Sequence, residues 1–374
     1  MPSLKTLRLL TALLALCSSA VVTAARCPTA FASAGSGPAS RQWLAPDFFV
    51  EPAGGPEGAK SDSLLRLPQA RKRHRDCRKQ IADALCLITA RPNVAPFSPQ
   101  SQPYLDMQSR SCDPNNGRYV AFFEAVYDRF TPVMQQMFCS LGTLVVDPHL
   151  ESIAYAGMRG SSAVMGFRRS AIDENLSLDT LLTWKEQLPF GGDPDSYDLS
   201  SDLPMLQFTA PPQPAHNVAY YVLAHEFAHL FDFANGINKR CFPGEQCPVA
   251  PESFAGHSWE TSQRPLGTQD FVHREEICYY HCQAEPLPAR AIGPLYAGLH
   301  RSNFITLYAA TNVFDDFAES VAFYLLDQLG DATFRLDTRQ GQQYDLLGGV
   351  GSTRFAGKKQ FIETFLADKA VRYP

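Results

Sequence analysis

The run "YYVLAHEFAHLFDFANG", residues 220–236, constrains this chain more than any other stretch. It sets two histidines, a glutamate and an aspartate in a sequence otherwise almost wholly apolar or aromatic. Apolar residues fall on every side of a 3.6-residue repeat, which predicts a helix buried all round. Asn217 is a suitable N-cap, and Asn235 with Gly236 a suitable stop. Buried imidazoles and carboxylates are costly unless each finds a partner. His225 and His229 are four residues apart, on one face and one turn from each other. That spacing lets two imidazoles hold one metal ion, and zinc suits the pattern. Glu226 then stands beside the pair as a general base that takes a proton from an activated water without being a ligand. A merely structural histidine pair is the alternative, and it leaves the buried glutamate unexplained.

A catalytic zinc centre takes three protein ligands and keeps one position open. One route to the third is the extended motif H-E-x-x-H-x-x-G-x-x-H. Here Asp232 occupies its glycine position and Asn235 its last histidine position, so that route is closed. The other route is a carboxylate on a later helix, and "YAATNVFDDFAESVAFYLL", residues 308–326, supplies one. Asp315 and Glu319 share a face that Ala322 and Phe323 continue into a core, while Asp316 is offset and points elsewhere. A solvated acidic first turn, favoured by the helix dipole, would explain Asp315 and Asp316. It does not explain Glu319, which sits among Val321, Phe323, Leu325 and Leu326.

The segments "HEFAHLFD" and "YAATNVFDDFAES" together resemble the gluzincin zinc metallopeptidases, in detail their lethal-factor-like branch. Those proteins pair an H-E-F-x-H-x-x-D helix with a later Tyr-x-x-T-N-x-x-E-x-F-A-E helix. The resemblance covers these two segments only. It implies a zincin-like fold, one Zn2+ per chain and a peptide or protein substrate. Asp315 stands where the family has its third ligand, a glutamate. Glu319 stands where a carboxylate holds a ligand histidine by its outer nitrogen, and Tyr308 where a hydroxyl stabilises the oxyanion. Asp315 is one methylene shorter than the family's glutamate, so Glu319 stays open as the alternative ligand. Asp232 is expected to orient a neighbouring group.

The chain has 374 residues, 45% hydrophobic and 19% charged, enough for one large or two modest domains. A net charge of -5 argues against a nucleic-acid partner, which would call for a strongly basic surface. Lys5 and Arg8 precede "LLTALLALC", and small residues follow in "SSAVVTAAR". This is the order of a secretory signal peptide over residues 1–25, with cleavage after Ala24 or Ala25. An N-terminal anchor is the alternative, for which the apolar run is short. No second long apolar stretch exists, so no membrane span is expected after signal removal. Export to the periplasm or the exterior makes disulfides the natural reading of the cysteines. Cys17 leaves with the signal peptide and nine remain, an odd number, with Cys27 the expected unpaired one. Cys241 pairs with Cys247, or both pair across to Cys278 and Cys282. Cys278, Cys282, His273 and His281 form a rival metal site that export disfavours. His257 and His300 read as surface or core histidines.

Residues 26–65, rich in Ala, Gly, Ser and Pro, read as a linker or loosely ordered arm. Residues 66–140 read as a helical N-terminal segment. Its first helix carries Ile81, Leu85 and Ile88 and ends before Pro92; its second spans 118–141. The basic run near residue 75 reads as a solvated helix face. Strands are expected over 142–149, 152–158, 162–172 and 205–210, and a helix over 178–188. Without regular β-α-β alternation this is an α+β architecture. A zincin-like metallopeptidase domain then spans 141–374, with a disulfide-stapled insertion at about 237–300. Two other functions compete with an exported metallopeptidase: a non-catalytic exported zinc-binding or interaction module, and a zinc amidase acting on cell-wall peptides. The presence of both Glu226 and Tyr308 speaks against a decayed site.

Overall fold

Apolar strands from the first half of the chain build the larger of two sheets. The computed structural model describes residues 48–50, 76–88 and 112–373, apart from 149, 151, 160–161, 195, 210–213, 241–245, 281, 283, 331 and 369–370. Six strands, β1 (Phe48–Val50), β2 (Leu85–Ile88), β3 (Cys112–Asp113), β4 (Leu141–Asp147), β5 (Ala154–Arg159) and β6 (Ser162–Arg168), stand in the order β1-β5-β6-β4-β2-β3. Strand β4 is buried along its whole length, as befits a strand covered on both faces, and pairs in parallel with β2 and β6. Strands β5 and β6 form an antiparallel hairpin in which Tyr155 lies opposite Gly166. A side chain at Gly166 would run into the Tyr155 ring, so glycine is required there. The smaller sheet, β7 (Met205–Thr209), β8 (Thr333–Asp337) and β9 (Gln343–Asp345), is antiparallel.

Nine α-helices complete the described residues: α1 (Cys77–Ala84), α2 (Gly117–Tyr127), α3 (Pro132–Phe138), α4 (Ser170–Asp173), α5 (Leu178–Gln187), α6 (Pro214–Asn235), α7 (Ile292–Arg301), α8 (Val313–Asp327) and α9 (Ala356–Ala367). The fold is thus mixed α and β, with two sheets. The buried faces of α1, α2, α3, α6 and α8 share one hydrophobic core with β4 and β6. The 66–140 segment and the domain expected from residue 141 therefore share a sheet and a core. No described helix is long and apolar enough to cross a membrane.

Several elements depart from expectation, each for a local reason. The helix predicted through Ile88 stops at Ala84, and Leu85–Ile88 turns into strand β2. Open ladder positions on Leu144–Val146 and on Cys112–Asp113 take these four buried residues, overriding a weak helical spacing. The single helix expected over 118–141 divides into α2 and α3. Pro132 opens α3, and Thr131 before it is extended (φ -63°, ψ 156°), as a residue preceding proline prefers. Helix α6 starts at Pro214, where a missing N–H costs nothing. Asn217 is therefore inside the helix and accepts a hydrogen bond from Arg129 at 2.7 Å, not a cap. Part of the presumed linker is ordered: Phe48–Val50 forms β1 and pairs in parallel with Ala156–Met158. The expected signal peptide and Cys27 lie outside the described residues.

Three disulfides join Cys77 to Cys139, Cys86 to Cys112 and Cys278 to Cys282, and Cys247 is also disulfide-bonded. The Cys278–Cys282 bridge rules out cross-pairing of these two with Cys241 and Cys247; Cys241 itself lies outside the described residues. Cys77–Cys139 ties the start of α1 to the end of α3 across 62 residues of sequence. Replacing both by alanine should lower unfolding free energy by about 3–4 kcal/mol, because the open chain regains loop entropy. Urea titration of the oxidised protein and the double variant would measure the loss.

Candidate metal centre

Helices α6 and α8 pack against each other, with Tyr221 edge-on to Phe323 at 6.1 Å and the Tyr220 hydroxyl donating to the Leu325 carbonyl at 3.3 Å. His225 and His229 project from α6, one turn apart, and their Nε2 atoms are 3.1 Å from each other. Asp315, in the first turn of α8, brings Oδ1 to 3.8 Å from His225 Nε2 and 3.5 Å from His229 Nε2. All three side chains are buried. Two ligands about 2.0–2.1 Å from a tetrahedral ion stand about 3.3–3.4 Å apart, so this triangle is close to one face of such a shell. The group can hold a metal ion.

Local chemistry explains why Asp315 points there. Asn312 caps α8: its side-chain oxygen accepts from the backbone N–H groups of Phe314 and Asp315 at 3.0 Å each. Its amide donates to Asp315 Oδ2 at 2.5 Å, leaving Oδ1 to face the imidazoles. Burial works against the Asp315 charge, but hydrogen bonding and charge from His229, with His225 and Asn312, outweigh it and hold the carboxyl below its ordinary value. Burial also pushes His225 down to about 4, so its ring is neutral at neutral pH, the form that ligates a metal.

Glu319 lies on the other side of His225. Its Oε1 is 2.9 Å from His225 Nδ1, 3.2 Å from Lys185 Nζ and 2.5 Å from the donating Tyr221 hydroxyl. Its Oε2 accepts from the Thr306 hydroxyl at 2.8 Å. Burial opposes the charge, yet Lys185, His225 and Tyr221 together hold the carboxyl far below the ordinary range. Glu319 thus contacts the outer nitrogen of His225, while Asp315 shares the inner side with both Nε2 atoms. A proton on His225 Nδ1, facing Glu319, leaves the Nε2 lone pair directed at the triangle. Two imidazole lone pairs and a carboxylate oxygen then converge, an arrangement that a cation stabilises. Glu226, Asp315 and Glu319 are all buried here, and Lys185 is the ammonium that contacts Glu319.

The remaining expected residues fall into place around this centre. Glu226 is buried on α6, next to His225. Tyr308 precedes α8 in a turn, not within the helix as the sequence suggests, and its ring centroid is 5.9 Å from that of His225. Asp232 orients Asn238, accepting from its backbone N–H and its side-chain amide at 2.7 Å each. The same amide reaches the Val313 carbonyl at 3.2 Å, so Asp232 and Asn238 tie the end of α6 to the start of α8. Burial raises the Asp232 carboxyl to about 6 against these hydrogen bonds. Asp316 points away and is enclosed by Lys358 Nζ at 2.6 Å and Trp259 Nε1 at 2.8 Å.

The rival metal site does not assemble: Cys278 and Cys282 are bonded to each other, so neither offers a thiolate. His273 pairs with Glu276 at 2.8 Å, and His281 lies outside the described residues. His257 and His300 are exposed. The bridged loop instead supplies a wall: Tyr279 and Tyr280 pack edge-on to Tyr308 at 4.8 and 6.5 Å. Lys185, Tyr221, Thr306, Asn312 and Asn238 were not singled out by sequence. Tyr221 stands one turn before His225 on the same face, and Asn312 heads an acidic first turn; both signals were readable.

Beside Lys185, Glu186 is buried and accepts from the Tyr296 hydroxyl. Burial pushes its carboxyl up to about 7, with Tyr296 pulling the other way. A raised acid holds its proton in the folded state where the unfolded chain has released it. Its contribution to stability is therefore full below the ordinary value near 4.5 and is lost as pH rises through about 7. Glu186→Gln should match the native protein near pH 5 and exceed it above pH 8 by on the order of 2–3 kcal/mol. Thermal melts of both proteins across that range would show the divergence.

Comparisons of the chain with protein-family models, with curated proteins and with solved structures yield no match.

Proposed function

We propose that this protein is an exported zinc-dependent metallopeptidase. The observation that carries the reading is the convergence of His225 Nε2, His229 Nε2 and Asp315 Oδ1 within 3.1–3.8 Å of one another, at the junction of two buried helices. Two imidazoles and one carboxylate are the donor set of many catalytic zinc sites, and they leave a coordination position open. The resemblance of the two helices to the gluzincin motifs, and with it a zincin-like fold, agrees with this set. The disulfides at Cys77, Cys86 and Cys278 fit an oxidising compartment, as the signal-like N-terminus does.

Zinc held by these residues would supply Lewis acidity and a water of lowered pKa. Glu226, adjacent to His225 and not needed as a ligand, takes the proton from the attacking water and delivers it to the leaving amine. Tyr308 is the donor for the oxygen that becomes negative as the carbonyl turns tetrahedral. Glu319 keeps His225 in the orientation that presents Nε2, and Asn312 does the same for Asp315 Oδ1. Tyr279 and Tyr280 pack edge-on against the Tyr308 ring and hold it in place.

Purified protein should carry about one zinc per chain by elemental analysis, and Asp315→Ala should lose it. Glu226→Gln should keep the metal and lower turnover at least ~100-fold. A peptide mixture and cell-wall fragments, each with and without chelator, give the assay. Cleavage of cell-wall fragments alone would replace the peptidase by an amidase, and zinc without any hydrolysis would leave a binding module.

A further inference from the structure

Among the described residues Lys185 is the buried cation that touches the candidate centre, and nothing in the reaction proposed above employs it. It sits in the last turn of α5, in a helix whose final residues Lys185, Glu186 and Gln187 are all buried. Its ammonium makes three contacts around the site, the most distant with the Tyr221 ring, whose centroid is 5.9 Å away. Nζ is 3.2 Å from Glu319 Oε1, and it lies 3.6 Å from the centroid of the Tyr308 ring. A Lys185–Glu319 pair with both side chains almost inaccessible is a desolvated ion pair, and such a pair persists only where the geometry is good and the remaining lone pairs are satisfied. Here Tyr221 and Thr306 supply that satisfaction. A desolvated ammonium against an aromatic face is also attracted to it, more strongly than at an exposed site.

We propose that Lys185 is a positioning residue that locks both functional partners of His225 at once. Through Glu319 it fixes the carboxylate that selects the His225 tautomer with Nε2 free for metal. Through the ring face of Tyr308 it fixes the tilt of the phenol relative to the same imidazole. One ammonium on α5 thereby registers α8 and the turn before it, more than a hundred residues later in the chain. The alternative role, neutralising a buried carboxylate for stability alone, would involve Glu319 but gives no reason for the contact with Tyr308. The inference rests on the metal-centre reading for its link to catalysis, but its structural part does not need a bound metal.

The test uses Lys185→Met, which keeps the aliphatic stem and removes the charge, and Lys185→Gln, which keeps a donor, in the full-length chain. In metal-free protein, nitrogen-15 spectra of the histidine rings should report one tautomer for His225 in the native chain and exchange between two in Lys185→Met. With zinc added, competition against a chelator should show 10- to 100-fold weaker binding in Lys185→Met, the loss typical when a partner of a ligand is removed. Turnover should fall with KM little changed, and Lys185→Gln should lie between the two. A single unaltered His225 tautomer together with native zinc affinity in either variant would overturn the role of Lys185. A His225 tautomer shift in the Lys185 variants, with a native chain that binds no zinc, would overturn the metallopeptidase reading and leave the positioning role standing. If Lys185→Met does not fold, the Lys185→Gln measurements decide alone.

Discussion

A single buried carboxylate, Glu319, is the interaction on which the rest of the centre depends. A charge in an apolar interface is tolerated only when its lone pairs are taken up, and Glu319 meets donors on both oxygens. Those donors come from Lys185 on α5, Tyr221 on α6 and Thr306 in the turn before α8, and His225 Nδ1 lies 2.9 Å from the same carboxylate. Each of these elements could slide in the core without much loss of apolar contact, because burial is not directional. Hydrogen bonds to one charge are directional, so the carboxylate selects a single register among arrangements of similar burial. Removing one donor would leave the charge under-satisfied in a low dielectric, which is more costly than the bond itself is favourable.

Two further polar links hold the helix pair from the ends. Asp232 and Asn238 join the last turn of α6 to the first residue of α8. Behind α8, Asp316 is enclosed by Lys358 and Trp259, the lysine reaching from α9 and also donating to the Asn303 carbonyl. Glu319 thus fixes α8 toward α6, and Asp316 fixes it toward the C-terminal helix, from adjacent faces. Between residues 246 and 291 the described backbone carries no α-helix and no sheet strand, only short 3-10 turns and isolated bridges, yet it contributes Trp259 to this support and packs Tyr279 against Tyr308.

Legibility in the sequence followed the range of the interaction. His225, Glu226 and His229 are readable because helical periodicity alone sets them on one buried helix, and any fold that keeps the helix keeps the pair. The mixed α and β class was readable for the same reason, from local strand and helix patterns. The choice between Asp315 and Glu319 was not readable, since both lie on one face of α8 and the decision rests on where two helices meet. The strand Leu85–Ile88 was misread as helix because its ladder partners are some 25 and 60 residues away along the chain. Lys185 was invisible: a lysine followed by glutamate and glutamine reads as a solvated helix end. It is buried because Glu319, more than a hundred residues later, awaits it.

That a side chain as short as Asp315 reaches the two imidazoles is a matter of helix placement. An aspartate reaches less far than a glutamate, so its backbone must come closer to the imidazoles for the oxygen to arrive. The start of α8 permits this. Asn312 takes two of the first free N–H groups as the cap, so the first turn can be buried against α6. Its amide then pins the outer oxygen of Asp315, and the favourable field of the helix N-terminus supports the carboxylate there. Asn238 draws the Val313 carbonyl toward the end of α6, closing the remaining distance. A longer carboxylate at position 315, with the helix held this close, would have to fold back on itself or push the helices apart. The aspartate is therefore matched to the tight junction, and Asn312, Asp232 and Asn238 are the residues that make the junction tight.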